Sequence, residues 1–566
     1  MRTTKIAAVL SALLALVLGG VAQAATVAVS SDISGSVTWT SNNTYQLKKQ
    51  IYVLPGATLT IQAGTVVKSL VADQGSLAVC RGAKIYVKGT KDAPVIMTSS
   101  NDTMTSWHEG CNEWGNLTIM GDAYISASHY GGSPVIVLGR ANSKTFDALN
   151  QKQMEGLTAS GSSDTKVLYG GGNDDDDSGS ISYLSLRYGG KVIGLANELN
   201  GLSLGGIGRE TDIHHVEVIN NVDDGVEIWG GTVNLKYVSI WNVGDDSFDV
   251  DEGWRGKAQF LLIVQGYSTD AAQGSGVGDN CFEADGAEDS DAVPVTTTAI
   301  YNATVIGQPV DGDHGTAWRD NARVQYRNCV FMNLGEALVK NDNSDGDGAN
   351  GYGYNGTLSW ASTWTTASSA NPPHYQAQVD GYLAEITDSV FYQNLYASAY
   401  TESTSRGVHQ AGKNNVTAST QPIQYINRAA PVTRGGKTMI RVTSLNPCAA
   451  NDAVTSVKTA PADGFFTPAP FRGAFSATNN WLEGWTATDA YGMTVTTMNT
   501  EDPPAAPAVT YSIFFPTVSG TVYTIEESTD LQNWTPIGCL VGTGGTMSVT
   551  DLTPVEAGKF YRVINQ

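Results

Sequence analysis

Eight carboxylates crowd into the thirty residues from Asp223 to Glu252. They recur in a pattern: Asp223, Asp224 and Glu227 are answered 22 residues on by Asp245, Asp246 and Asp249, with Asp251 and Glu252 close behind. Three kinds of behaviour fit such a set. Hard oxygen ligands converging on one point hold calcium, and Asp223, Asp224, Asp245, Asp246 and Asp249 are the candidate ligands. A carboxylic acid and a carboxylate roughly 6.5–9.5 Å apart hydrolyse a glycosidic bond with inversion. The candidates for that work are Asp224, Asp245 and Asp246, with His314 as the best-placed lone histidine, next to Asp313 and near Arg319 and Asp320. The third behaviour is a solvated acidic row, partly paired with Arg255 and Lys257.

Other clusters carry weaker chemistry. Residues 341–348, Asn-Asp-Asn-Ser-Asp-Gly-Asp-Gly, have the front half of a calcium loop, but Tyr352 stands where the bidentate Glu belongs. Asp174 to Asp177 reads as a solvated charge run. His214 and His215, adjacent on a strand, point to opposite faces, which argues against a shared zinc. The chain has no Gly-rich phosphate loop opening a helix and no nucleophile elbow, which disfavours nucleotide and serine-hydrolase chemistry. Twelve Trp and 24 Tyr suffice to line a sugar-binding groove, although in a solenoid most of them stack in the core.

For the acidic residues to meet, the runs that carry them must stack. His215 to Asn220 and Tyr237 to Asn242 both alternate apolar and polar side chains, the period of a strand with one buried face. Each leads through an Asp-rich turn to a second short strand, Val226 to Ile228 and Phe248 to Val250. A unit this short cannot bury its apolar face alone, so copies must stack, and the turn-rich, helix-free spacing points to a parallel β-helix. Stacked strands lie about 4.8 Å apart, which brings the carboxylates of the two coils within roughly 5–10 Å. An earlier echo, residues 56–61 against 82–87, has an offset of 26. The expected fold is all-β: a right-handed parallel β-helix over residues 51–400, after an N-terminal lead-in or cap at 25–50. Insertions break it at 122–180, 266–292 and 341–380. Residues 401–500, rich in aromatics and Pro, then pack along or cap the last coils. Residues 501–510 form a Pro-rich linker, and regularly spaced strands over 511–566 form a small β-sandwich.

Composition narrows the setting. A net charge of −22 disfavours nucleic acid and anionic membrane surfaces and favours cations. Residues 1–24 carry Arg2 and Lys5, an apolar core and Ala22-Gln23-Ala24, the pattern of a secretory signal peptide. No later stretch is apolar enough to span a bilayer. Six Cys are compatible with an oxidising compartment. Cys80 with Cys111 and Cys281 with Cys329 could clamp neighbouring coils, and buried thiols are the alternative.

The stretches WGNLTIMGDA, NVDDGVEIWGGTVNLKYVSIWNVGDDSFDVDEGWRGKAQF, TAIYNATVIG and FFTPAPFRGAF with NWLEGWTA resemble secreted bacterial proteins built of right-handed parallel β-helix repeats, over roughly Ile51 to Met493. That resemblance implies the fold and export, and brings no established activity. The tail around Tyr523 to Glu526 and Phe560 to Val563 is similar to C-terminal β domains that sort, anchor or space secreted proteins. A further likeness is to polygalacturonase-type glycosidases. Residues 221–225 and Gly244-Asp245-Asp246 echo their first two motifs at one-coil spacing, whereas the first turn has an extra residue, the His-Gly at His314 lies about seventy residues on, and no Arg-x-Lys follows it.

The expectation is therefore a secreted or cell-surface protein, non-catalytic, that binds extracellular polysaccharide or a cell-surface component as an adhesive or scaffold stabilised by calcium. The rival is a polysaccharide hydrolase or lyase using the stacked Asp residues. N-terminal sequencing of exported protein should begin at Ala25, and a mature chain that keeps Met1 would remove the basis for export.

Overall fold

Short strands, most of them paired in parallel, run through the computed structural model of the protein. The structure describes residues 24–127, 149–161, 164–194, 197–266, 278–287, 292–320, 322–341, 384–397, 411–434, 436–454, 457–495, 511–528, 531–551 and 560–565. The parallel strands form three columns around one interior. Asp212–Ile219 pairs with Asn234–Trp241, Val216 opposite Val238 and Val218 opposite Ile240, and all four side chains join the interior cluster as the alternation requires. Lys257–Val264 and Thr297–Ile306 continue the stack. This is the expected right-handed parallel β-helix.

Each long strand of this sheet bends at one residue, and the bend makes two columns out of one sheet. Tyr183, His215, Tyr237 and Phe260 sit there with φ of 48°, 53°, 59° and 60°. A bulky side chain in the left-handed region costs of order 1–3 kcal/mol. The cost is partly offset because the repeat brings the rings face to face, with centroids 4.2, 4.3 and 4.9 Å apart along the four; such contacts contribute about 0.5–1.5 kcal/mol each. The same bend overturns the expectation for the histidine pair. In a flat strand His214 and His215 would point apart, but the positive φ of His215 brings their Nδ1 atoms to 2.8 Å. Burial, then the neighbouring His214, Lys91 and Lys236, push His215 down to about 3. No group of three or more carboxylate, thiol or imidazole ligands among the described residues includes either ring.

The third column is a separate parallel sheet that includes Val226–Trp229, Phe248–Asp251, Phe282–Asp285 and Thr316–Arg319. Val226, Ile228, Phe248, Val250, Phe282 and Ala284 point into the core, so the residues alternating with them point out. Phe282–Asp285 falls inside the stretch expected as an insertion over 266–292. Part of that stretch is therefore a coil. Residues 25–50 also contribute strands to the parallel stack, Ala25–Val29 pairing with Asn43–Leu47. Most of the insertion at 341–380 lies outside the described residues, as does the partial calcium loop beyond Asn341.

Two stretches cover the outside of the helix. Residues 149–169 pack Met154, Leu157, Leu168 and Tyr169 over Trp229 and Met120. The aromatic-rich segment lays Phe475, Trp481, Leu482 and Trp485 along the second column, against Ile219, Trp241, Leu262 and Ile306. The run at Asp174 to Asp177 is only half solvated. Asp174 is buried in a two-pronged pair with Arg255 at 2.5 and 2.8 Å, and Asp176 is buried against Ser178. Asp175 and Asp177 take Arg209 and Lys84 at the surface. Cys80, Cys281 and Cys329 are buried free thiols, so neither suggested clamp forms; burial pushes Cys80 and Cys329 up to about 12. At the C-terminus Tyr511–Pro516 pairs with Thr546–Asp551, and Val522–Ser528 lies between Thr535–Val541 and Phe560–Asn565, all antiparallel. The linker at 501–510 lies outside the described residues. No helix among the described residues is long and apolar enough to cross a membrane.

Glu217 ties the covering segment down. Its buried carboxylate accepts from the Ala487 N–H at 2.6 Å, the Thr488 N–H and hydroxyl at 3.0 Å, and Ser185 Oγ at 2.6 Å. Glu217→Ala strands those donors and should cost about 3 kcal/mol. Denaturant melts of the two proteins measure it, and a difference under about 0.5 kcal/mol, the size of a surface change, would refute the role.

Candidate functional site

The turns entering the third column share one sequence theme. Gly244-Asp245-Asp246-Ser247-Phe248 is followed 34 residues later by Gly278-Asp279-Asn280-Cys281-Phe282, and after another 34 by Gly312-Asp313-His314-Gly315-Thr316. Stacking turns these positions into two rows. The inner row fastens coil to coil through side chains on backbone. Asn200 Oδ1 accepts from the Asp224 N–H at 3.2 Å, Asp224 Oδ1 from the Asp246 N–H at 2.8 Å, and Asp246 Oδ1 from the Asn280 N–H at 2.5 Å. Asp224 and Asp246 thus each spend one oxygen on the scaffold. The outer row is Asp223, Asp245, Asp279 and Asp313. Beyond it, on the outward face of the strands, Glu227 stands in register with Asp249 and Asp249 with Glu283, and Trp229 with Asp251.

All five predicted calcium ligands come together. Carboxylate oxygens of Asp223, Asp224 and Asp245 lie within 4.8 Å of one another, as do those of Asp224, Glu227 and Asp249, and of Asp245, Asp246 and Asp279. Asp223, Asp224 and Asp246 are only 4%, 6% and 6% exposed, and one oxygen of Asp249 is buried with no hydrogen-bond partner. Two like charges 4.8 Å apart repel by about 3.5 kcal/mol at an effective dielectric of 20, more than a typical hydrogen bond returns. Protons or a cation must relieve the row. Without a cation, burial first and neighbouring carboxylates second raise Asp224, Glu227, Asp246 and Asp249 well above the usual range. The same causes bring Asp245 to about 7, and burial with the Asp313 contact brings Asp279 to about 8.

The expected basic partners are engaged elsewhere. Arg255 pairs with Asp174 and Lys257 with Asp463 at 2.6 Å; Lys236, also near in sequence, donates to the Phe465 carbonyl. The row is met instead by Arg319, which pairs with Glu283 and with Asp285 at 3.2 Å. Glu252 is set apart from the row, buried and bound by Lys152 at 2.6 Å and Tyr169 at 2.8 Å. His314 closes the row at its far end, its ring against the Asp313 carboxylate and, through Nε2 at 3.1 Å, against that of the exposed Glu336. Burial alone would raise Asp313, but its bonds to His314 and Asp279 outweigh that and hold it at about 2.

Asp279, Glu283, Asp285, Glu336, Glu155 and Glu198 escaped the sequence reading. For three of them the signal was present: Phe282-Glu283-Ala284-Asp285 repeats Phe248-Asp249-Val250-Asp251, behind the same Gly-Asp turn. The lengthened coil, 34 residues against 22, concealed it. Glu155 and Glu198 arrive from outside the coil rhythm and left no periodic trace. A cleft of about 400 Å³ opens beside the row, lined by Lys152, Gln153, Met154, Glu155, Tyr169, Asn197 and Trp229.

Residues 31–362 match the pectate-lyase-like β-helix domain. No curated protein and no solved structure matches the chain.

The raised carboxylates set a pH dependence. Asp245, Asp279 and Glu155 rise from 3.8, 3.8 and 4.5 to about 7, 8 and 7, each first through burial. The folded chain then holds protons that the unfolded chain releases, so the stability these groups allow is full below about pH 4 and lost as the pH climbs through 7 to 8. In chelator, Tm should fall from pH 5 to pH 8.5, and saturating calcium should flatten the fall. A Tm that rises over that interval in chelator contradicts the protonated row.

Proposed function

Because the chain belongs to the family of pectate-lyase-like β-helix domains, we propose that it is an exported protein that binds an extracellular polysaccharide or a cell-surface component, without turnover, and carries calcium on its acidic row. One observation carries the reading. The oxygens of Asp223, Asp224 and Asp245 crowd within 4.8 Å of one another. An inverting acid and base stand roughly 6.5–9.5 Å apart to admit water, and these stand closer. Oxygens about 2.4 Å from one calcium lie up to ~4.8 Å apart, and the oxygens here lie within that limit. Asp249 adds a buried oxygen in want of a partner. Calcium also fits the ligand type, since all the donors are hard carboxylates. The cleft beside the row, with Trp229 and Tyr169 at its wall and Lys152, Gln153 and Asn197 as polar groups, is apt for a sugar chain.

A second reading has its own support. Asp245 and Glu155 titrate near 7, where a general acid or base works best, which suits a hydrolase or lyase acting in the same cleft.

Calcium at a hundredfold excess over its Kd should stabilise the mature protein by about 2.7 kcal/mol. Asp245→Asn with Asp249→Asn should remove the part of the gain that the row supplies. Both substitutions avoid Asp224 and Asp246, whose oxygens hold the neighbouring coil. Thermal melts in calcium and in chelator read the result, and an identical calcium response in the double variant would sink the row as a calcium site. Mature protein incubated with a panel of plant and algal polysaccharides should retain them without releasing reducing or unsaturated ends. Robust turnover abolished by Asp245→Asn would replace the binding reading with the enzymatic one.

A further inference from the structure

Three stretches of chain that are far apart in sequence each bring one carboxylate to a single point beside the acidic row. Glu155 comes from the segment laid over the third column, Glu198 from the short pairing of Val192–Gly194 with Asn197–Glu198, and Asp223 from the turn of a coil. One oxygen of each lies within 4.8 Å of the other two. An acidic cluster alone would say little, since a shared proton can relieve it. Glu198 adds an independent fact. It is 0% exposed, and neither of its carboxylate oxygens has a hydrogen-bond partner. A buried carboxylate with both oxygens unsatisfied is not a stable arrangement by itself, and its oxygens face two more carboxylates. Lys152 acts on Glu155 by its charge but is also paired with Glu252 at 2.6 Å, so this cation is shared between two carboxylates. Glu155 also borders Glu227, so the surroundings add further negative charge.

We propose that Glu155, Glu198 and Asp223 hold a divalent cation that prefers oxygen ligands, calcium by the all-carboxylate donor set, and that this ion fastens residues 149–169 to the coils. The site is separate from the one on the acidic row. There every ligand belongs to the repeating turns and strands, whereas here Glu155 belongs to a segment laid on the coils and Glu198 to a short antiparallel pairing inserted in one turn. Asp223 is common to both and can bridge two ions through its two oxygens. The ion has a structural consequence for the cleft. Lys152, Gln153, Met154 and Glu155 form one wall of it, and that wall has no parallel pairing to the columns. It rests instead on the antiparallel pair of Lys152–Gln153 with Leu168–Tyr169, on apolar contacts, on the bonds of Lys152 and Tyr169 to Glu252 and on the Gly156 N–H donated to Asn197 Oδ1 at 2.8 Å. A cation joining Glu155 to Glu198 and Asp223 fixes that wall.

Hydrogen exchange of the whole mature chain, with calcium ions or chelator as the only variable, tests this. Calcium at a hundredfold excess over its Kd should slow local opening at residues 152–157 and 197–199 by about a hundredfold. Glu198→Gln, which keeps shape and removes charge, should lose that protection and bind one calcium fewer by equilibrium dialysis with elemental analysis. Asp245→Asn should keep it while losing the ion of the acidic row. The two sites therefore fail separately: protection lost only in Asp245→Asn overturns the present proposal and leaves the row, and Asp245→Asn that still binds the full number of calcium ions overturns the row alone. Glu198→Gln with unchanged protection and stoichiometry also overturns it. If that variant does not fold, Glu155→Gln, at a half-buried position, carries the same expectations.

Discussion

Parallel stacking fixes which side chains meet. With coils about 4.8 Å apart, whatever occupies one position of a coil lies against its equivalent in the next, and the repeat either benefits or suffers at every step. Apolar positions benefit, and they make the continuous interior from Ile33 to Phe391. Rings at the bend benefit, and Tyr183, His215, Tyr237 and Phe260 stack despite a strained backbone. Asn and Asp at the inner row benefit, because each side chain caps the backbone of the next coil. Carboxylates pointing outward suffer, since repulsion of ~3.5 kcal/mol per close pair accumulates along the row. A chain that keeps such a row over several coils needs something to neutralise it.

The two coverings on the outside answer different needs. Along the second column the outward residues are apolar, and the Phe475 to Trp485 stretch removes them from water. Over the third column the outward residues are acidic, and only part of that face is roofed, by a segment that brings Lys152 to Glu252 but also adds Glu155. Buried basic groups such as Arg255 and Arg187 are paired with Asp174 and Asp102 in the joints between coverings and coils. Positive charge thus goes to holding layers together, and the acidic face is left with Arg319 as its principal basic partner among the described residues.

The fold was legible because its signal is local. Two copies of one strand-turn-strand unit, 22 residues apart, specify stacking and the inward set Val216, Val218, Val238 and Ile240, and these lie where the alternation puts them. The gathering of Asp223, Asp224, Asp245, Asp246 and Asp249 followed from the same register. The errors came where register fails as a guide. His214 and His215 were read with strand geometry although a left-handed bend lies between them. Arg255 and Lys257 were assigned to neighbours in sequence although their partners are 81 and 206 residues away. The third acidic coil hid behind a lengthened loop, because periodicity detects equal spacing better than equal chemistry. Non-local pairs such as Glu155 with Glu198 leave no pattern in one sequence.

The tie between Glu217 and residues 487 and 488 bridges 270 positions, and Tyr491 reaches back 389 positions to Asp102 at 2.9 Å. A solenoid can add coils from its first turn onward as the chain emerges, since each coil needs only its neighbour. This one cannot finish that way. At about 5–20 residues per second of synthesis, the carboxylate of Glu217 waits roughly 15–50 s for its donors, and for that interval Ile219, Trp241 and Leu262 present a bare greasy strip along the growing rod. The covering segment that follows the coils therefore acts as a closing seam. Biogenesis of the molecule is a race between that seam and the association of unsealed rods.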